Sequence, residues 1–161
     1  MSPDASGHRQ TPPMERYHGY FIEDLAVGQS AFFGKTVTDA DIVLFSGVSG
    51  DTNPLHLNKD FAASTRFGGP IVHGMLTASL ISTVVGTRLP GPGCVYVSQS
   101  LKFRAPVRVG DTVQVRATVK EIIAAKGRVI LETVCSVGDT VVLEGEAHVL
   151  VGTRAQADAA D

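Results

Sequence analysis

Asp51 and His56 stand five residues apart in the run Phe45-Ser46-Gly47-Val48-Ser49-Gly50-Asp51-Thr52-Asn53-Pro54-Leu55-His56. A carboxylate and an imidazole can together hold and move the protons of one water molecule, provided both face the same point in space. The residues between them supply that constraint. Pro54 fixes its own φ and biases Asn53 toward extended backbone, so the turn is stiff and Asn53 is read as orienting it. Gly50 allows a sharp change of direction just before Asp51. Alone, His56 reads as a satisfied loop histidine and Asp51 as a turn residue bonding to nearby N–H groups. Their pairing across a rigid turn makes them candidates for general acid/base chemistry.

A second segment, Phe67-Gly68-Gly69-Pro70-Ile71-Val72-His73-Gly74-Met75, leads into the most apolar stretch of the chain. The first N–H groups of a helix have no intrahelical acceptor, and the helix dipole is positive at that end. Gly74 has no Cβ, so a carbonyl could approach its amide closely and find an oxyanion hole there. One such donor is worth about 3–4 kcal/mol of barrier when negative charge develops on the carbonyl oxygen. His73, just before it, reads as a hydrogen-bonding residue that fixes the loop. Asp51, His56 and His73 do not have zinc-ligand spacing, and no metal is expected.

These residues need elements to hold them. Residues 29–37 read as a strand. Thr38 reads as a helix N-cap, with Asp41 three residues on and Ile42, Leu44, Phe45 and Val48 supplying an apolar face. Residues 61–64 suggest one short helical turn. A longer helix is expected over residues 72–88, where Met75, Leu76, Ala78, Leu80, Ile81, Val84 and Val85 leave no broad polar face, as in a helix buried on several sides. Pro90-Gly91-Pro92-Gly93 stops it. Four strand-like runs follow, near 94–105, 112–123, 128–137 and 141–151, the clearest being Val113, Val115, Ala117 and Val119 in alternation with polar residues. Turn signals at Gly110-Asp111, Lys126-Gly127 and Gly138-Asp139 leave connections so short that antiparallel meander pairing is expected. The economical packing is α+β: a curved antiparallel sheet wrapped around a long central apolar helix.

With these residues in view, Gly50-Asp51-x-Asn53-Pro54-x-His56 followed by Pro70-Ile71-Val72-His73-Gly74-Met75 closely resembles the MaoC-like, (R)-specific enoyl-CoA hydratase family, over roughly residues 21–151. The resemblance implies a single hot-dog domain and a hydro-lyase. It implies that Asp51 and His56 orient and deprotonate a water that attacks C3 of a trans-2-enoyl thioester, with syn delivery of a proton to C2 and an (R)-3-hydroxyacyl product. Gly74 would polarise the thioester carbonyl. Ser82, two helical turns further, matches a serine near the catalytic pair in some members, although a serine in an apolar helix can instead bond back to a carbonyl one turn earlier. The strand Lys102-Phe103-Arg104-Ala105-Pro106-Val107 would lie beside the substrate tunnel. No redox cofactor is implied, because CoA enters as part of the substrate, and at least a homodimer is implied. The nearest rival is the same dehydration on an acyl-carrier-protein thioester. A hot-dog thioesterase has no reason to keep the pair on one rigid turn, and a non-catalytic acyl-thioester binding domain would show it broken.

The remaining composition sets bounds. The chain has 161 residues and a formal net charge of −2, which suits one domain and gives no general case for nucleic-acid binding. Residues 1–14 read as a disordered tail, 15–152 as the domain and 153–161 as a flexible end. Cys94 and Cys135 sit in apolar runs and read as buried thiols. The longest apolar stretch is too short and too rich in Ser and Thr to span a membrane, so a cytoplasmic protein is expected.

Overall fold

A computed structural model describes residues 18–159; the tail expected over residues 1–14 lies outside them. The strands are β1 (Ser30–Thr36), β2 (Val95–Gln99), β3 (Lys102–Phe103), β4 (Thr112–Ile123), β5 (Arg128–Val137) and β6 (Thr140–Leu150). The helices are α1 (Asp39–Ser49), α2 (Pro54–Leu57), α3 (Lys59–Ala63), α4 (Gly74–Thr87) and α5 (Arg154–Asp158). All strand pairs are antiparallel, in the order β1-β4-β5-β6-β2, with β3 also on β6. The hot-dog arrangement follows: one sheet curled around one helix.

Strand β4 shows why the sheet closes on α4. Val113, Val115, Ala117 and Val119 are buried, and the residues between them face outward. They join Leu76, Leu80, Ile81, Val84 and Val85 of α4 in one core. Each fully buried aliphatic side chain of this kind contributes roughly 1.5–3 kcal/mol. Helix α1 starts where expected: the Thr38 side chain accepts from the Asp41 amide while the Asp41 carboxylate accepts from Thr38 N–H at 2.8 Å. Gly50 ends it in the left-handed region at φ 76°, where a side chain would be strained.

Three expectations are corrected. Helix α4 begins at Gly74, not at residue 72, because Val72 N–H is bound to the Val107 carbonyl at 2.8 Å and His73 is extended. It is buried on several sides, as expected, with Met75, Ser79, Ser82 and Gly86 left as an exposed stripe. The run near 94–105 is broken into β2 and β3, where the Ser100 carbonyl crosses Gly145 so closely that a Cβ there would lie 1.8 Å from it. The meander covers only β4 to β6; β2 pairs with β6, on the sheet edge far from β4.

The end read as flexible contains α5, capped by Thr153 and Gln156 and tied to the body by Arg154, which bonds Asp24 at 2.7 Å. The segment has no apolar face, so Thr153 and Gln156 alone do not announce a helix in the sequence.

Candidate active site

The catalytic turn is more regular than a simple bend. Asn53 caps α2, its Oδ1 accepting from Leu55 N–H at 3.0 Å, and Pro54 occupies the first helical position, where a missing N–H costs nothing. His56 therefore sits on a one-turn helix. Asp51 is held at the other end, one carboxylate oxygen accepting from Asn53 N–H at 3.2 Å.

The His56 ring is half-buried, and its Nδ1 lies 2.8 Å from the Ile71 carbonyl oxygen. A carbonyl can only accept, so Nδ1 carries the proton of the neutral ring and Nε2 is left with a free lone pair. A single backbone contact thus prepares His56 as a base. A ring nitrogen of His56, one of His73 and a carboxylate oxygen of Asp51 all lie within 4.8 Å of one another.

His56, Phe67, Ile71, Gly74, Thr77 and Phe103 contribute to the wall of an open cavity of about 280 Å³. Asp51 is exposed and is not part of that wall, although its carboxylate stands beside His56. The Gly74 N–H meets no acceptor among the described residues, as the first amide of α4 should not. Its open face is already filled, however: a Cβ at Gly74 would lie 2.7 Å from Phe103 Cε1. The glycine admits the edge of a ring from β3, and a ligand reaching the amide must share that space with Phe103.

Ser82 is not brought to this cluster. It lies on the exposed stripe of α4 and outside the cavity wall. His73, by contrast, is 1% exposed and points back toward the catalytic turn. Among the cations, Arg66 and Arg104 border the cavity, with Arg104 paired to Glu144. Arg88 instead bonds the Phe32 carbonyl, and Lys102 is exposed on β3. Arg108, not singled out in the sequence, holds the approach to α4 by bonding the Phe67 and Pro70 carbonyls.

Two imidazoles and a carboxylate are a chemically reasonable metal donor set. The geometry argues against it. The two rings lie against each other with centroids 3.8 Å apart and planes tilted by 32°, and one nitrogen of each is already engaged with a backbone carbonyl.

Fold and site together define a hot-dog domain carrying a carboxylate–imidazole pair beside an unpaired helix amide. The MaoC-like domain matches residues 26–142, and the chain belongs to that family. An (R)-specific enoyl-CoA hydratase of Rhodospirillum rubrum is 53% identical over 135 residues, 84% of this chain and 94% of that protein. A 3-hydroxybutyryl-CoA dehydratase of Methylorubrum extorquens is 53% identical over 138 residues, 86% of this chain and 88% of that protein. Among solved structures, the (R)-hydratase of Aeromonas caviae involved in PHA biosynthesis superposes with a TM-score of 0.78 at 43% identity, covering 80% of this chain and 98% of that one.

Proposed function

We propose that this protein is an (R)-specific 2-enoyl-CoA hydratase, equivalently a 3-hydroxyacyl-CoA dehydratase, with Asp51 and His56 as its acid/base pair. The observation that carries the reading is the His56 tautomer. The Ile71 carbonyl accepts from Nδ1–H and leaves the Nε2 lone pair free, while a ring nitrogen of His56 and a carboxylate oxygen of Asp51 lie within 4.8 Å of each other, next to a cavity lined in part by Gly74. The names of the relatives support the same reaction.

The steps follow from these groups. The thioester carbonyl accepts from Gly74 N–H, which withdraws electrons from the conjugated double bond and makes C3 electrophilic. A water held by Asp51 and His56 attacks C3 as His56 Nε2 takes its proton. The enolate oxygen gains charge against the Gly74 amide and the positive end of α4. A proton delivered to C2 from the same face, through the same pair, completes syn addition and restores both groups. General acid/base help of this kind contributes typically about 10²–10⁴-fold. Water adds without net oxidation, so the chemistry calls for no redox cofactor, and CoA arrives with the substrate.

The reading includes a homodimer. Strand β2 is a sheet edge with Val95 and Val97 about half exposed, and such an edge is normally covered. Among the described residues no helix is long and apolar enough to cross a membrane. The test is to incubate the protein with crotonyl-CoA and with a crotonyl-loaded acyl carrier protein, following loss of enoyl-thioester absorbance and release of free thiol. Loss of conjugation without thiol, faster on the CoA ester, is expected. Thiol release with conjugation retained would mean a thioesterase, and preference for the loaded carrier would move the substrate to acyl carrier protein.

A further inference from the structure

We infer that His73 is a positioning residue for the hydration, locking the catalytic turn to the head of α4 through the N–H of its ring. The inference rests on the hydratase reading above. His73 is nearly sealed from solvent, at 1% exposure. Its Nε2 lies 3.0 Å from the Asp51 backbone carbonyl and 3.3 Å from Ser46 Oγ. The carbonyl can only accept, so Nε2 carries the proton of the neutral ring and donates it there. Nδ1 is buried with no partner, so the hydrogen bonding of the side chain is concentrated on that one nitrogen.

Three segments meet at this imidazole. Its own backbone is the N-cap of α4, directly before the Gly74 amide. Its Nε2 holds the backbone of Asp51, and Ser46, itself buried, joins it from α1, the helix that delivers the chain to Gly50 and Asp51. Its face packs on the His56 ring at 3.8 Å, and Phe45 closes on it at 5.1 Å. His56 is thus fixed by two contacts, the Ile71 carbonyl at its edge and His73 at its face. The distance between the dyad and the oxyanion donor is then set by one buried side chain that lies outside the cavity wall. A displacement near 1 Å in such a constellation costs about 10²-fold in rate.

Ring packing and hydrogen bonding are separable by substitution. His73→Phe keeps a flat ring against His56 and Phe45 but leaves the Asp51 carbonyl and Ser46 without their donor. His73→Gln abandons the ring but places an amide N–H at about the reach of Nε2. Initial rates with crotonyl-CoA, per folded site, should show kcat for His73→Phe lower by at least about 10-fold with KM within about threefold, because ground-state binding is not the interaction removed. His73→Gln should recover kcat to within about fivefold of wild type despite a lower Tm. A His73→Phe enzyme with wild-type kcat overturns the inference. So does a His73→Gln enzyme as poor as His73→Phe, since that makes the ring the operative feature. If His73→Phe fails to fold, the His73→Gln value decides alone, within about fivefold for and beyond it against. Wild-type protein that leaves crotonyl-CoA untouched would instead refute the hydratase reading itself, a result no His73 variant can mimic.

Discussion

Placing a methyl group on Gly74 puts the oxyanion reading and the packing of Phe103 in direct competition. The added Cβ would sit 2.7 Å from Phe103 Cε1 and 3.1 Å from Cδ1 and Cζ. Carbon atoms rest comfortably at about 3.5–4.0 Å, so the ring has to retreat by about 1 Å. Overpacking of a closed core costs about 1–3 kcal/mol, but Phe103 is 53% exposed on a two-residue strand and can swing aside. Alanine also raises helix propensity by up to about 1 kcal/mol over glycine. The net change in stability for Gly74→Ala should be small, at most about 1 kcal/mol, or about 2–4 °C in Tm for a chain of this size. Activity should respond far more. The methyl and the displaced ring both intrude where the thioester carbonyl must meet the amide, and loss of one oxyanion donor costs about 10²–10³ in kcat. Steady-state hydration of crotonyl-CoA and thermal melts of Gly74→Ala, Phe103→Ala and the double variant separate the two effects. The double variant should regain any lost stability without regaining kcat. A Gly74→Ala enzyme with wild-type kcat and KM would refute placement of the carbonyl at this amide. Full rescue of kcat by Phe103→Ala would show that the ring alone was the obstacle.

Other consequences are simpler to check. The Asp41 carboxyl is held below its usual value, first by the Thr38 amide and then by Lys35 at 3.0 Å. Its folded pKa is depressed, so its contribution to stability is present above the unfolded value near 3.8 and is lost as pH falls through the lower folded value. Asp41→Asn should therefore melt below wild type at pH 7, with the gap closing as the pH drops under 3.8. Thr38→Ala, which removes the cap itself, should cost about 0.5–2 kcal/mol by denaturant titration. Burial pushes the Cys135 thiol up to about 12 and raises that of Cys94. Both should resist a thiol-reactive disulfide reagent at pH 8 until denaturant is added, and prompt labelling of Cys135 in the native protein would contradict its burial.

What could be read from the chain was what side-chain type and short-range spacing encode. The Thr38–Asp41 capping box, the alternation of β4 and the Asp51–His56 turn all depend on neighbours within a few residues. Fold class was legible for the same reason, since period-two runs and short turns restrict how a sheet can pair. The contacts that tune the site are not of that kind. The Ile71 carbonyl that sets the His56 tautomer is a backbone atom with no residue signature. Phe103 meets Gly74 only because β3 pairs with β6 beside the head of α4, a register that composition does not announce. Ser46 lay inside the quoted motif, yet its bond to His73 depends on how α1 is rotated. Ser82 shows the complementary limit: in a helix whose apolar residues are broken only by Ser, Thr and Gly, side-chain type alone does not say which of these the sheet leaves exposed.

The roles of Asp51 and His56 are tested most directly by kcat for crotonyl-CoA hydration by Asp51→Asn and His56→Asn, measured at saturating substrate on folded protein. Each substitution should lower kcat by at least about 10², because each removes one partner of a pair that must manage the same water. Turnover within a few-fold of wild type in either variant would contradict the central claim that this pair carries the chemistry.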